Sequence, residues 1–175
     1  MSDPLIADNV SMIEQGVRLV GALPVAVFTS RSEQTLGASI GGHLRHNLDH
    51  YACFLRGLAA GRIDYDDRER AVDIETSPAA AVAALERAGG NFRHLRATDL
   101  DRDIAVRMDT GESDDRPWTR SSVRRELQFL LSHTVHHYAL IAMICRMHAQ
   151  PIDEDFGVAP STLKFRRHTA AACAR

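Results

Sequence analysis

Two short stretches concentrate the chemistry of this chain. HLRHNLDH runs from His43 to His50 and HTVHH from His133 to His137, and together they hold six of the nine histidines in 175 residues. A helix turns about 100° per residue, so residues four apart lie about 40° apart on its surface. His133 and His137 are therefore stacked one turn apart, the spacing at which two imidazoles reach one metal ion. They continue a stripe with Leu130, Leu140, Ile141 and Ile144. A buried imidazole without a partner costs roughly 1–3 kcal/mol, and a shared ion satisfies both.

The first stretch adds candidates. By the same rotation His43, His46 and His50 fall within about 60° on their own helix. One of them joined to His133 and His137 makes a three-imidazole site with open positions, the catalytic rather than the structural pattern. Spacing alone does not choose among the three. The His stripe is centred about 120° from Leu44, Leu48 and Leu55, so either a neighbouring element covers the leucines or the histidines face solvent. Neutral imidazole suits Zn, Ni, Fe or Cu alike. HTVHH has Thr134 where a zinc-protease HExxH helix has its general base, and there is no Glu-x-x-His pair of the di-iron type.

The elements that must carry these residues read as helices over about 4–23, 36–60, 78–96 and 122–148. Asp3 caps the first and Pro4 sits at its first position; Ser77 and Pro78 do the same for the third, and Gly61 stops the second. The last long helix is apolar around most of its circumference from Leu127 to Met147, which predicts a central, buried helix. VAVFTSRSEQT reads as a connector, and the polar stretch after Gly61 is long for a bundle connection, enough to cross from one end to the other. DIAVRMD alternates like a short strand, TGESDDRPW like a loop, and 150–167 like an ordered surface loop. The expected architecture is an all-α four-helix bundle, a single domain over 1–175, with a long link between helices two and three and a small β-like excursion before the last long helix.

Composition narrows the function classes. With 21 basic and 23 acidic residues the net charge is −2, which gives no footprint for nucleic acid. Cys53, Cys145 and Cys173 are odd in number and far apart, which fits free thiols in a reducing compartment. No apolar run approaches the ~18 residues of a membrane helix, and no secretory signal pattern opens the chain, so the expectation is a cytoplasmic protein. Asp49 and Arg45 read as facing solvent or a subunit boundary, Tyr138 and Cys145 as core, and DYDDRER as a charged link.

SIGGHLRHNLDHY from Ser39 and ELQFLLSHTVHHYALIAM from Glu126 resemble the DinB-like (DinB/YfiT) superfamily of metal-binding four-helix bundles, and the resemblance spans most of the chain. Its members place one ligand histidine at the eighth position of such an opening, here His46, and two in an HxxxH on the last long helix, here His133 and His137. The resemblance thus implies a His46/His133/His137 metal site. Many relatives carry an acid four residues after the first ligand; here that residue is His50, either a competing ligand or a partner that orients His46. His43 and His136 are additional. The resemblance further implies a divalent transition metal (Zn, Ni or Fe), frequent homodimers, and a metal-dependent enzyme acting on a small molecule. That enzyme is either a transferase with a low-molecular-weight thiol cosubstrate or a hydrolase. The alternative is a non-catalytic metal-binding bundle, structural or stress-responsive.

Overall fold

A computed structural model describes residues 3–111 and 115–173 of the chain. It is mostly helical, with a small three-stranded sheet. Helix α1 spans Pro4–Ala22, the short α2 Val25–Phe28, α3 Ile40–Ala60, the short α4 Val72–Thr76 and α5 Pro78–Arg93. The last long helix, α6, spans Val123–Met147, and α7 spans Pro160–Cys173. Strands β1 (Arg62–Asp64), β2 (Asp103–Arg107) and β3 (Thr119–Ser122) lie in that order, β1 parallel and β2–β3 antiparallel.

Local chemistry explains the boundaries. Asp3 Oδ1 accepts from Leu5 N at 2.9 Å and Pro4 follows it. Ser77 Oγ accepts from Ala80 N, again with proline next. Gly61 closes α3 in the left-handed region at φ 68°. Helix α3 begins at Ile40 rather than near Leu36, because Leu36 (φ 52°) and Gly37 (φ 73°) are both left-handed and Ser39 takes the cap. The polar stretch after Gly61 is not bare link: it holds β1 and α4. The loop expected over 110–118 falls partly on 112–114, outside the described residues.

The sheet fixes how the two histidine helices run. Ala105 of β2 pairs with Arg62, two residues past the end of α3, and with Arg120, three residues before the start of α6. The end of α3 and the start of α6 are thereby tied together, so the helices lie antiparallel. Side-chain pairs rise on one and fall on the other: His43 meets His137, His46 meets His133, and Tyr51 hydroxyl meets Thr134 Oγ1 at 2.5 Å.

Helix α3 is the most enclosed of the long helices. Its leucine side is covered: Leu48 and Leu55 share a cleft with Ile74 of α4 and with Ala84 and Ala88 of α5. Its histidine side faces α6. Helix α6, expected to be buried all round, is buried along one side only, and Met143 and Met147 are half exposed. Apolar side chains on a surface are ordinary, so an apolar circumference does not by itself make a helix central. The C-terminal stretch read as a loop over 150–167 is loop only to Ala159. Pro160, taken as a loop residue, opens α7, a first-turn position to which its missing N–H is suited. Before it, Phe156 stacks on Tyr138 at 4.7 Å.

Gly41 shows how closely α4 is laid on α3. A Cβ there would run into the carbonyl oxygen of Glu75. Gly41→Ala is expected to cost about 1–3 kcal/mol by overpacking. A thermal melt measures it, and an unchanged midpoint would refute the close approach.

Candidate metal centre

The side chains of His43, His46 and His50 from α3 meet those of His133 and His137 from α6. The two closest nitrogen pairs are His46 Nε2 to His133 Nε2 at 3.2 Å and His43 Nδ1 to His137 Nδ1 at 3.0 Å. His50 stacks on His133 with ring centroids 4.2 Å apart and lies 4.5 Å from His46. His137 lies 4.8 Å from His46 and 4.6 Å from His133 by ring centroid. His136 is exposed, with its ring edge-on to that of His137.

These residues fit a metal ion. Two nitrogens each ~2.1 Å from one tetrahedral ion stand ~3.4 Å apart, close to the 3.2 Å between His46 and His133. His46, His50 and His133 each offer a ligand atom, all within 4.8 Å of one another. His50 is also oriented for it. Its Nδ1 lies 2.9 Å from the carbonyl oxygen of His46, which can only accept, so Nδ1 carries the proton and Nε2 keeps its lone pair. His137 is in ring contact with the same group, but its Nδ1 is engaged with His43. The set brought closest therefore shares His46 and His133 with the expected triad and adds His50.

Burial keeps the imidazoles neutral. His46 is lowered to about 4, first by burial and then by the charges of His50, Arg68 and other neighbours. His133 is lowered to about 3 and His137 to about 2, again by burial first and neighbouring histidines next. His43 and His50 are also lowered, chiefly by burial. The unfolded chain takes up these protons below about pH 6.5 while the folded chain does not. Stability of the metal-free protein is thus complete above pH 6.5 and is lost progressively as pH falls from there through 4 toward 2. Melting temperature followed from pH 7.5 to 4.5 is expected to start falling near 6.5, before ordinary carboxylates titrate. A flat profile down to pH 5 would contradict it.

Residues that spacing did not single out complete the centre. Arg68, in the link after β1, brings its guanidinium to 3.4 Å from His46 Nδ1. The link is held there by Asp49, which is buried rather than solvent-facing and accepts from Arg70 N at 3.2 Å. Tyr65 stacks on His50 at 5.4 Å and donates to buried Glu126, which also accepts from Ser121 Oγ. Arg45 is ion-paired with Glu75 rather than turned to solvent. The only sequence trace of these roles is the density of charge in DYDDRER, and charge density alone reads as a solvated link. Cys53 and Cys145 are buried free thiols raised to about 11 by burial, so neither is a thiolate near neutral pH.

No family model matches the chain, and no solved structure matches it. The chain is similar to a Rhizopus delemar protein named FK506-binding protein 5, with 30% identity over 103 residues. That match covers 58% of this chain but only 27% of the other protein, so the name carries no assignment here. Among the described residues no helix is long and apolar enough to cross a membrane.

Proposed function

We propose that this chain is a metal-dependent enzyme of the DinB-like kind, holding one divalent transition ion (Zn, Ni or Fe) between α3 and α6. The reaction is of the thiol-S-transferase or hydrolase type. The observation that carries the reading is the convergence of three imidazole nitrogens from two helices within 4.8 Å, with no carboxylate among them. His46 and His133 are ligands in either arrangement. The third is His50 by proximity or His137 by the DinB-like pattern. Three neutral ligands leave an ion its full charge and open positions, and such an ion binds a thiolate or water and lowers its pKa. The residues of this chain hold the ligands neutral by burial, fix the His50 tautomer through the His46 carbonyl, and leave a cleft open beside His43 and His137. A small-molecule substrate, a homodimer and a cytoplasmic setting belong to the same proposal.

A non-catalytic metal bundle is the second reading, and one observation favours it. The acids around the cluster are engaged elsewhere: Glu126 with two hydroxyls, Asp49 with a backbone amide, Asp66 with Arg68 and Arg116, Glu75 with two arginines. None stands free as a general base. Metal analysis of the wild type beside His46→Ala, His50→Ala and His137→Ala tests the site. Metal-dependent consumption of a thiol and an alkylating electrophile, or of an ester, separates the readings. A purified chain that neither carries nor takes up a divalent metal refutes both.

A further inference from the structure

The cleft that opens beside the histidines has a volume of about 460 Å3, within the range of small-molecule sites. It is lined by His43, His46 and His137 together with Arg31, Arg45 and Glu75. Glu75 sits between the arginines, one carboxylate oxygen to each. Two guanidiniums against one carboxylate leave a single net positive charge. Arg45 is mostly covered, and its Nε is buried with no hydrogen-bond partner among the described residues. A guanidinium presents a planar fork of donors that matches a carboxylate. Ser39 and Gly42 of the first turn of α3 line the same cleft, adding the partial positive charge of a helix start.

We propose that Arg31 and Arg45 anchor the carboxylate of a small-molecule ligand whose other end reaches the histidine cluster. The single net charge fits a monoanion, which favours a carboxylate over a phosphate dianion. Glu75 holds the two guanidiniums side by side and tempers their charge. Gly41 contributes by letting α4, and with it Glu75, lie against α3. The inference deepens the metal-enzyme reading and rests on it for the reacting end; the anchoring end stands on the ionic wall alone.

The test compares two thiols of equal length on Co2+-loaded protein, 3-mercaptopropionate and 3-mercapto-1-propanol, titrated by the cobalt absorption spectrum. The carboxylate thiol is expected to bind about tenfold or more tightly. Arg45→Gln should abolish that preference with metal content unchanged, and Arg31→Gln serves where Arg45→Gln fails to fold. Glu75→Gln should increase the preference, because it doubles the net charge of the wall. Equal affinity of the two thiols for the wild type overturns the subsite and leaves the metal reading standing. Inorganic phosphate competing better than propionate overturns the carboxylate assignment. If the chain takes up no metal, the metal reading fails alone. Propionate binding to metal-free wild type against Arg45→Gln then decides the subsite, and equal binding overturns it.

Discussion

His133→Ala is expected to weaken Zn2+ binding by about a hundredfold or more, read by competition with a chromophoric chelator. His133 is the hub of the cluster. Its Nε2 is 3.2 Å from that of His46, and its ring touches His50 at 4.2 Å and His137 at 4.6 Å. It belongs to either ligand set, so no rearrangement among the other imidazoles replaces it. Structural zinc sites gain ~10–16 kcal/mol from four ligands. About 3 kcal/mol per ligand corresponds to roughly a hundredfold or more in affinity. His43→Ala is expected to change affinity less than tenfold, because His43 acts through His137. Between His50→Ala and His137→Ala, the larger loss names the third ligand. An unchanged affinity in His133→Ala would remove the site.

Phe92→Ala is expected to cost the largest share of fold stability, about 3–5 kcal/mol. At roughly 2–4 °C per kcal/mol for a chain this size, the melting temperature should drop by about 10 °C. Phe92 of α5 is fully buried and packs on Tyr51 at 5.3 Å and Phe54 at 5.7 Å, both on α3. Tyr51 in turn bonds Thr134, the residue after His133. The void therefore opens behind the contact that sets the spacing of α3 and α6. Metal affinity is expected to fall along with stability, whereas a purely peripheral core position would change stability alone. Urea denaturation and the chelator competition, run on the same variant, read the two effects.

The parts of the fold governed by local chemistry were legible in the sequence. The caps at Asp3 and Ser77 and the stop at Gly61 rest on a side chain's hydrogen bond to its own backbone or on the freedom of glycine, and each stands where expected. The alternation of DIAVR marked β2. Helical rotation grouped the histidines of each stretch on one face of its own helix, but left open whether the α3 face meets α6 or solvent. The rest depended on partners far along the chain. Whether His50 or His137 points a lone pair at the cluster turns on a carbonyl and on His43, which spacing does not report. Arg68 reaches His46 only because Asp49 and the strand β1 fold the link back. Helix α3 starts later than its periodicity suggests because nothing in Leu36 announces a left-handed backbone.

His46 and His133 are 87 residues apart in the chain, and they meet only because α3 and α6 are folded against each other. Anything that grips both nitrogens behaves as a removable crosslink, closing a loop whose entropy the unfolded chain would otherwise keep. Such a ligand, present at a hundred times its dissociation constant, adds about 2.7 kcal/mol to the folded state. Thermal stability then becomes a reporter of occupancy, and a chelator a reversible denaturing lever. A protein built this way carries in its own melting curve a record of how much metal its surroundings offer.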